Sequence, residues 1–235
     1  MERKRIPDFT SDMSRRERLL ALLYLPVHMV LLPIPAVVLL ERGILSEAMA
    51  NFSIYAVGAV YMLLALGRFL RRDFDPLWER PFYVLSEICG HYLLMLVANM
   101  AVNSLLLLMP EENPNNSEIF AMAGEDFGVM AAMAVCLAPI VEELIFRGGI
   151  FGLARKRSRR LAYVLSALLF SFYHVWAYAL EDVRNLLYLL QYLPVSLLLC
   201  RCYERTNSIW GCIFFHMLVN GASFYTMEAL LVWIR

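Results

Sequence analysis

Two adjacent carboxylates, Glu142 and Glu143, are followed by Arg147, and farther along the chain stand His174 and the pair His216 and Asn220. All six sit inside apolar stretches. Charged and imidazole groups at membrane depth are costly, so their default reading is a functional site turned toward the protein interior. Glu143 and Arg147 are four apart, acid first, the order in which such pairs attract on a helix. Glu143 is therefore read as the partner that neutralises Arg147. Glu142, rotated by about 100° on the same helix, is left to face another element. A carboxylate within reach of an imidazole can polarise a water held between them, the arrangement for general-base hydrolysis. His216 and Asn220, also four apart, share a face and offer donors for an oxyanion on an attacked carbonyl. This set suits peptide hydrolysis without a serine or cysteine nucleophile.

The elements that must carry these groups are membrane helices. Of the 235 residues, 60% are hydrophobic and only 18% charged, below the charged quarter of an ordinary soluble domain, and the mean hydropathy is +0.59. Seven apolar stretches run Leu19–Leu40, Ala48–Leu70, Pro81–Met109, Phe127–Leu153, Leu161–Leu180, Leu186–Cys200 and Ile209–Ile234, to be compared with the roughly 20 residues that a spanning helix needs. The fold class expected is all-α, a polytopic membrane helix bundle of about seven transmembrane helices. The third stretch is overlong and reads as tilted or broken, and the sixth is short. Pro26, Pro33 and Pro35 predict a kink in the first. With no internal repeat and no low-complexity linker, residues 1–18 read as a cytosolic amino-terminal segment and 19–235 as one membrane domain, its catalytic core at about 127–221. The length of the first stretch, and the lack of a small-x-small cleavage site, favour a retained helix over a secretory signal.

Net charge is zero, so no global field points to nucleic acid, but the basic residues are unevenly placed. Met1–Arg18 carries six, Arg68–Arg80 four, Arg155–Arg160 five and Arg201–Arg205 two. The alternate segments carry only Arg42, Arg184 and Arg235, and the acidic loop Pro110–Asp126 has no Lys or Arg. Basic residues gather on the cytoplasmic side. Seventeen against three thus predict the amino terminus inside and the carboxyl terminus outside, in an integral, multi-pass protein of the cell (inner) membrane. Glu142 then lies 11 residues before the cytosolic end of helix four, His174 13 after the start of helix five and His216 7 after that of helix seven. Those spacings put all three at roughly 10–20 Å from one surface.

Other polar groups have plainer readings. His28 and His91 suit structural hydrogen bonds between helices, His91 as a local partner of Glu87 four residues earlier. Trp176, Tyr178, Trp210 and Trp233 lie near helix ends, where interfacial anchors belong. The Arg155–Arg160 run is a topology determinant that also suits anionic membrane lipids. The five cysteines lack metal-site spacing and act as small hydrophobes.

The segment Glu142-Glu143-Leu144-Ile145-Phe146-Arg147 resembles the E-E-x-x-x-R motif of the CPBP family, the CAAX-processing and bacteriocin-processing (Abi) intramembrane endopeptidases. Phe170-Ser171-Phe172-Tyr173-His174 is similar to its F-x-x-x-H motif and His216-Met217-Leu218-Val219-Asn220 to its H-x-x-x-N/D motif, with Asn207-Ser208-Ile209-Trp210 like its usual lead-in. Helices one to three carry no motif. The resemblance implies an intramembrane peptidase, of the type II CAAX prenyl endopeptidase kind, cleaving a peptide or a lipid-modified protein near the cytosolic face. In that reading Glu142 activates water with His174, His216 and Asn220 stabilise the oxyanion, and Glu143 and Arg147 shape the site. No cofactor is favoured. Zinc held by the same residues is the alternative, because two histidines and a glutamate make a hydrolytic donor set, although no H-E-x-x-H helix is present. The family also implies roles in bacteriocin immunity or maturation. A proton-coupled transporter would show inverted repeats or paired broken helices, and a silent scaffold would have lost a motif residue. Neither is seen.

Overall fold

The computed structural model describes residues 9–106 and 112–234, with the backbone alone for 230–234. Arg3, Lys4, Arg5, Met109, the Trp233 side chain and Arg235, on which some of these expectations rest, lie outside the described residues. No strand occurs among the residues described. Six helices are long and apolar enough to cross a membrane, and the chain is an integral membrane protein. They are α1 (Arg15–Glu41), α2 (Glu47–Ala65), α5 (Pro81–Leu106), α7 (Phe127–Arg155), α8 (Arg159–Glu181) and α9 (Val183–Thr206). A further 26-residue helix, α10 (Ile209–Ile234), follows the seventh apolar stretch. Short helices α3 (Gly67–Arg72), α4 (Asp75–Glu79) and α6 (Pro114–Glu125) lie between them.

The structure adds detail to these expectations. Between Pro26 and Pro33 the chain of α1 passes through a π turn at Val27–Leu31, where Leu32 N–H bonds the Val27 carbonyl at 2.9 Å. A proline cannot donate to the helical ladder, and widening one turn lets the neighbouring groups stay paired. The overlong third stretch is one continuous helix as far as Leu106. The stretch expected as a loop at Pro110–Asp126 contains α6, whose start follows from Asn113, capping Asn115 N–H at 3.1 Å, and Pro114 at the first helical position. The short sixth stretch gains length from a 3-10 lead-in over Val183–Tyr188.

α7 is the centre of the bundle: 61% of its apolar window is buried, against 17–33% in the other five spans. It is also the least regular helix, with π stretches at Ala132–Leu137 and Leu144–Phe151 on either side of the turn that carries Glu142 and Glu143. Such π turns recur at functional sites because they turn side chains and carbonyls out of the regular register.

The end of the bundle that carries the basic loops is closed by the amino-terminal segment. Thr10 and Ser11 donate their N–H groups to Asn207 Oδ1 at 2.8 and 3.0 Å, and Ser11 Oγ meets the Tyr203 hydroxyl at 2.6 Å. Phe9 packs edge-on against Phe151 and Tyr203. Met13 seats on Gly148 of α7, where an added Cβ would fall 2.2 Å from the Met13 methyl and push that side chain aside. Lys156 pairs with Asp12 at 2.8 Å, and Arg155 and Arg159 converge on Glu204. Those members of the basic run therefore hold helices together as well as marking a side. Asp73 anchors the start of α10: its carboxylate accepts the Ile209 N–H and its carbonyl the Ser208 hydroxyl. Burial pushes the Asp73 carboxyl up to about 6.

Candidate active site

Glu142 and Glu143 leave the same turn of α7 in different directions. Glu143 is fully buried and saturated: Arg147 Nη1 donates to its Oε1 at 3.0 Å, His216 Nδ1 to the same oxygen at 2.7 Å, and the Cys212 thiol to Oε2 at 2.9 Å. Arg147, 0% exposed, spends Nη2 on Ser196 Oγ (2.8 Å) and the Ser196 carbonyl (3.1 Å) and lies 4.3 Å over the Phe170 ring. A buried cation with a carboxylate, a hydroxyl, a carbonyl and an aromatic face around it is compensated rather than available. The pairing expected between Glu143 and Arg147 is present, and Glu143 holds an imidazole in addition, which the spacing alone does not predict.

Glu142 faces α8 and α10. Its Oε2 lies 3.9 Å from His174 Nε2 and 3.9 Å from His216 Nε2. Hydrogen-bond partners fix the tautomers. His174 Nδ1 lies 2.8 Å from the Phe170 carbonyl and His216 Nδ1 2.7 Å from the Glu143 carboxylate. Both partners only accept, so both Nδ1 atoms carry protons. Each ring then turns its Nε2 toward the same carboxylate oxygen. Stacking on Tyr192, with ring centroids 4.5 Å apart, holds the His174 ring.

The remaining oxygen of Glu142 is reached by a chain of hydroxyls that begins on helices carrying no motif. The Tyr55 hydroxyl donates to Oε1 at 3.1 Å, lies 2.8 Å from the Tyr173 hydroxyl, and Tyr173 lies 2.9 Å from His28 Nε2. Since Tyr55 spends its proton on the carboxylate, Tyr173 must donate to Tyr55 and His28 Nε2–H to Tyr173. The chain therefore has one consistent direction, ending on Glu142. His28 sits on the π turn of α1. It is the interhelical hydrogen-bonding group expected of it, with the added consequence that its partner leads to the site. His91 differs: its Nδ1 bonds the Glu87 carbonyl at 2.6 Å, while the Glu87 carboxylate goes to Arg205 Nε at 3.1 Å.

Asn220 gives one amide proton to the Ala134 carbonyl at 2.8 Å, within the first π stretch of α7. One further N–H remains to it. Glu142, His174, His216 and Asn220 all line a cavity of about 770 Å³, so the residues singled out by their chemistry do converge on one space. That volume falls in the range of small-ligand and peptide sites.

The donor set is of a kind that zinc accepts, but its spacing suits a water better. Two ligands on one tetrahedral zinc, with bonds of about 2.0–2.2 Å, stand roughly 3.4 Å apart, whereas both separations from Glu142 are 3.9 Å. Among the described residues no three His, Cys, Asp or Glu side chains are grouped to hold a metal ion.

Residues 125–222 match the family model of Rce1-like proteins, described as type II CAAX prenyl endopeptidase Rce1-like. The matched region runs from the last residue of α6 past Asn220 and contains all six residues of the cluster on α7, α8 and α10. The match covers 98 of the 235 residues, and over that region the chain is similar to CAAX-type intramembrane proteases. No curated protein and no solved structure matches the chain.

Proposed function

We propose that this protein is a glutamate-dependent intramembrane peptidase in which Glu142 is the general base. The observation that carries the reading is the convergence of Glu142 Oε2 with the Nε2 atoms of His174 and His216, 3.9 Å from each, on the cavity wall. A water between Glu142 and His174 donates one hydrogen bond to each, which turns its own lone pair toward a carbonyl carbon placed in the cavity. As the oxygen attacks, Glu142 takes a proton, and the Tyr55 hydroxyl on Oε1 keeps its syn face aimed at the water. The proton then passes to the departing amine as the C–N bond breaks. His216 donates from Nε2 to the oxyanion when both its nitrogens are protonated, a charge that Glu143 balances across Nδ1, and the second Asn220 N–H supplies a further donor. Arg147 acts by holding Glu143 in place.

The reaction needs no resident ion in this scheme, and removal of the carboxyl-terminal tripeptide from a prenylated protein is the form of it that the Rce1-like match supports. Glu142→Gln tests the reading. It keeps the shape of the side chain and removes the proton acceptor, so hydrolysis of a peptide substrate by the purified protein should fall by orders of magnitude with the folded fraction unchanged. Full hydrolysis by Glu142→Gln would refute it.

A further inference from the structure

Of the two imidazoles facing Glu142, His216 is gripped by a carboxylate of the cluster, and His174 is not. The hydrogen bond that His174 makes runs from Nδ1 to the carbonyl of Phe170, one turn earlier on its own helix. One bond at one edge leaves the ring plane free to tilt, and Nε2, on the other side of the ring, would then swing away from Glu142. The plane is fixed by Tyr192 of α9, whose ring lies over the imidazole with centroids 4.5 Å apart and 21° between the planes. Phe170 and Tyr173 also touch the imidazole, but at 48° and 89°, so neither lies parallel to it.

Tyr192 is held in turn by the start of α6. Its hydroxyl accepts from Asn113 Nδ2 and Asn115 Nδ2, each at 2.9 Å, and donates to Asn116 Oδ1 at 3.3 Å. Two bonds accepted and one donated use a phenol oxygen in full. Asn113 has no freedom of its own. It is buried, its Oδ1 takes the Asn115 N–H as the cap of α6, and its other amide proton goes to Gln191 Oε1 at 2.6 Å. Glu118, farther along α6, accepts the Tyr178 hydroxyl at 2.6 Å, which ties the same helix to α8 one turn beyond His174. Asn113, Asn115 and Asn116 all precede residue 125, where the family match begins. A short run of side-chain amides outside the matched region thus ends in the placement of one aromatic ring against His174.

We infer that Tyr192 is a positioning residue for His174, and that the amides of Asn113 and Asn115 at the start of α6 are what hold it there. The effect on hydrolysis rests on the peptidase reading above, whereas the placement of the ring is measured without activity. Tyr192→Leu removes the stacked ring. Its kcat should fall by about tenfold to a hundredfold, the cost of a misplaced catalytic group, with KM changed less than about twofold. Tyr192→Phe restores the ring without its hydroxyl and should recover part of that loss. Asn113→Ser keeps a capping oxygen for α6, and together with Asn115→Ala it should match Tyr192→Phe. Adding Tyr192→Phe to that pair should cost little more, since all three act through one hydroxyl. The second readout is the ring-proton NMR signal of His174 in protein labelled only at its four histidines, identified by its loss in His174→Gln. Protons over an aromatic face are shifted upfield, so the signal should move downfield in Tyr192→Leu and stay in place in Tyr192→Phe, or broaden there as the ring loosens. A loss confined to KM, which a wall merely touched by substrate would give, overturns the proposal, and so does a His174 signal that Tyr192→Leu leaves unmoved. A signal that moves as expected while Glu142→Gln still hydrolyses fully would sink the peptidase reading and leave the positioning intact. An inactive Glu142→Gln beside an unmoved signal would do the reverse.

Discussion

Glu143 Oε1 lies 2.7 Å from His216 Nδ1, joining the acid of one motif on α7 to the imidazole of another on α10. The same oxygen holds Arg147 on its own helix at 3.0 Å. One buried carboxylate thus neutralises a cation and orients a ring. Glu143→Leu would leave Arg147 buried and unpaired, and breaking such a pair from one side costs about 3–5 kcal/mol. A thermal or denaturant midpoint in detergent should fall accordingly. Adding Arg147→Met should recover much of the loss in stability. It should not recover hydrolysis, because His216 still lacks the group that fixes its tautomer. A double variant as unstable as Glu143→Leu alone would show that the pair is not the source of the cost.

The adjacent Glu142 should behave in the opposite way. Glu142→Gln should lower kcat by about 10²–10⁴, the range of general-base catalysis, with no change in the unfolding midpoint. His174→Ala should be comparably inactive. His216→Ala and Asn220→Ala should lose about 10²–10³, as oxyanion donors do. Steady-state kinetics beside a melting curve separates the two glutamates, and equal melting losses in both would contradict the division of roles drawn from their contacts.

Much of this is legible in the sequence for a physical reason. Ionisable groups are so costly at membrane depth that Glu142, Glu143, Arg147, His174 and His216 stand out from their apolar surroundings, and the apolar lengths count the helices. Asn220 stands out by its spacing from His216. Tyr55, Tyr173 and His28 give no comparable signal, since a hydroxyl on an aromatic ring in an apolar helix looks like packing or an interfacial anchor. Only the crossing of α1, α2 and α8 reveals that they form one chain onto Glu142. α6 reads as a loop in the sequence because Asn and Pro are frequent there, although Asn113 and Pro114 are also the cap and first residue of a helix. That the site residues share one cavity needs the three-dimensional arrangement, because residues from many different helices line it.

The hydroxyl chain makes its own prediction. Tyr55→Phe removes a donor to a buried carboxylate, a bond worth about 1.5–3 kcal/mol. If that bond serves the reacting form, kcat should drop roughly tenfold or more. Tyr173→Phe should have a smaller effect of the same kind. Because both act through one sequence of bonds, the double variant should lose little beyond Tyr55→Phe alone. Losses that simply multiply would mean that the two hydroxyls work independently.

The 3.9 Å separations from Glu142 to both imidazoles lead to an expectation about metal. Prolonged chelation should leave hydrolysis intact, and elemental analysis of the purified protein should find well under one zinc per chain. Added divalent ions should inhibit by drawing Glu142, His174 and His216 together, and Glu142→Gln should weaken that inhibition. Stoichiometric zinc whose removal and return switches hydrolysis off and on would make these residues ligands instead.

Far from the cavity, Asp73 gives the fold a dependence on pH. Its carboxyl is pushed from the ordinary 3.8 up to about 6, chiefly by burial against the start of α10, with the Ile209 N–H, Ser11 and Arg72 acting in the opposite sense and Asp75 reinforcing it. A folded value above the unfolded one means that the folded state holds its proton more tightly. The associated stability is complete below about pH 4 and is lost as the pH rises through about 6. A displacement of that size corresponds to at most about 3 kcal/mol. The unfolding midpoint in detergent should therefore fall between about pH 4 and 6 by more in the wild type than in Asp73→Asn, which keeps an oxygen for the Ile209 N–H without the charge. At about pH 7 the variant should be the more stable of the two. Identical pH profiles for the two proteins would place the titration elsewhere and leave Asp73 as an ordinary helix cap.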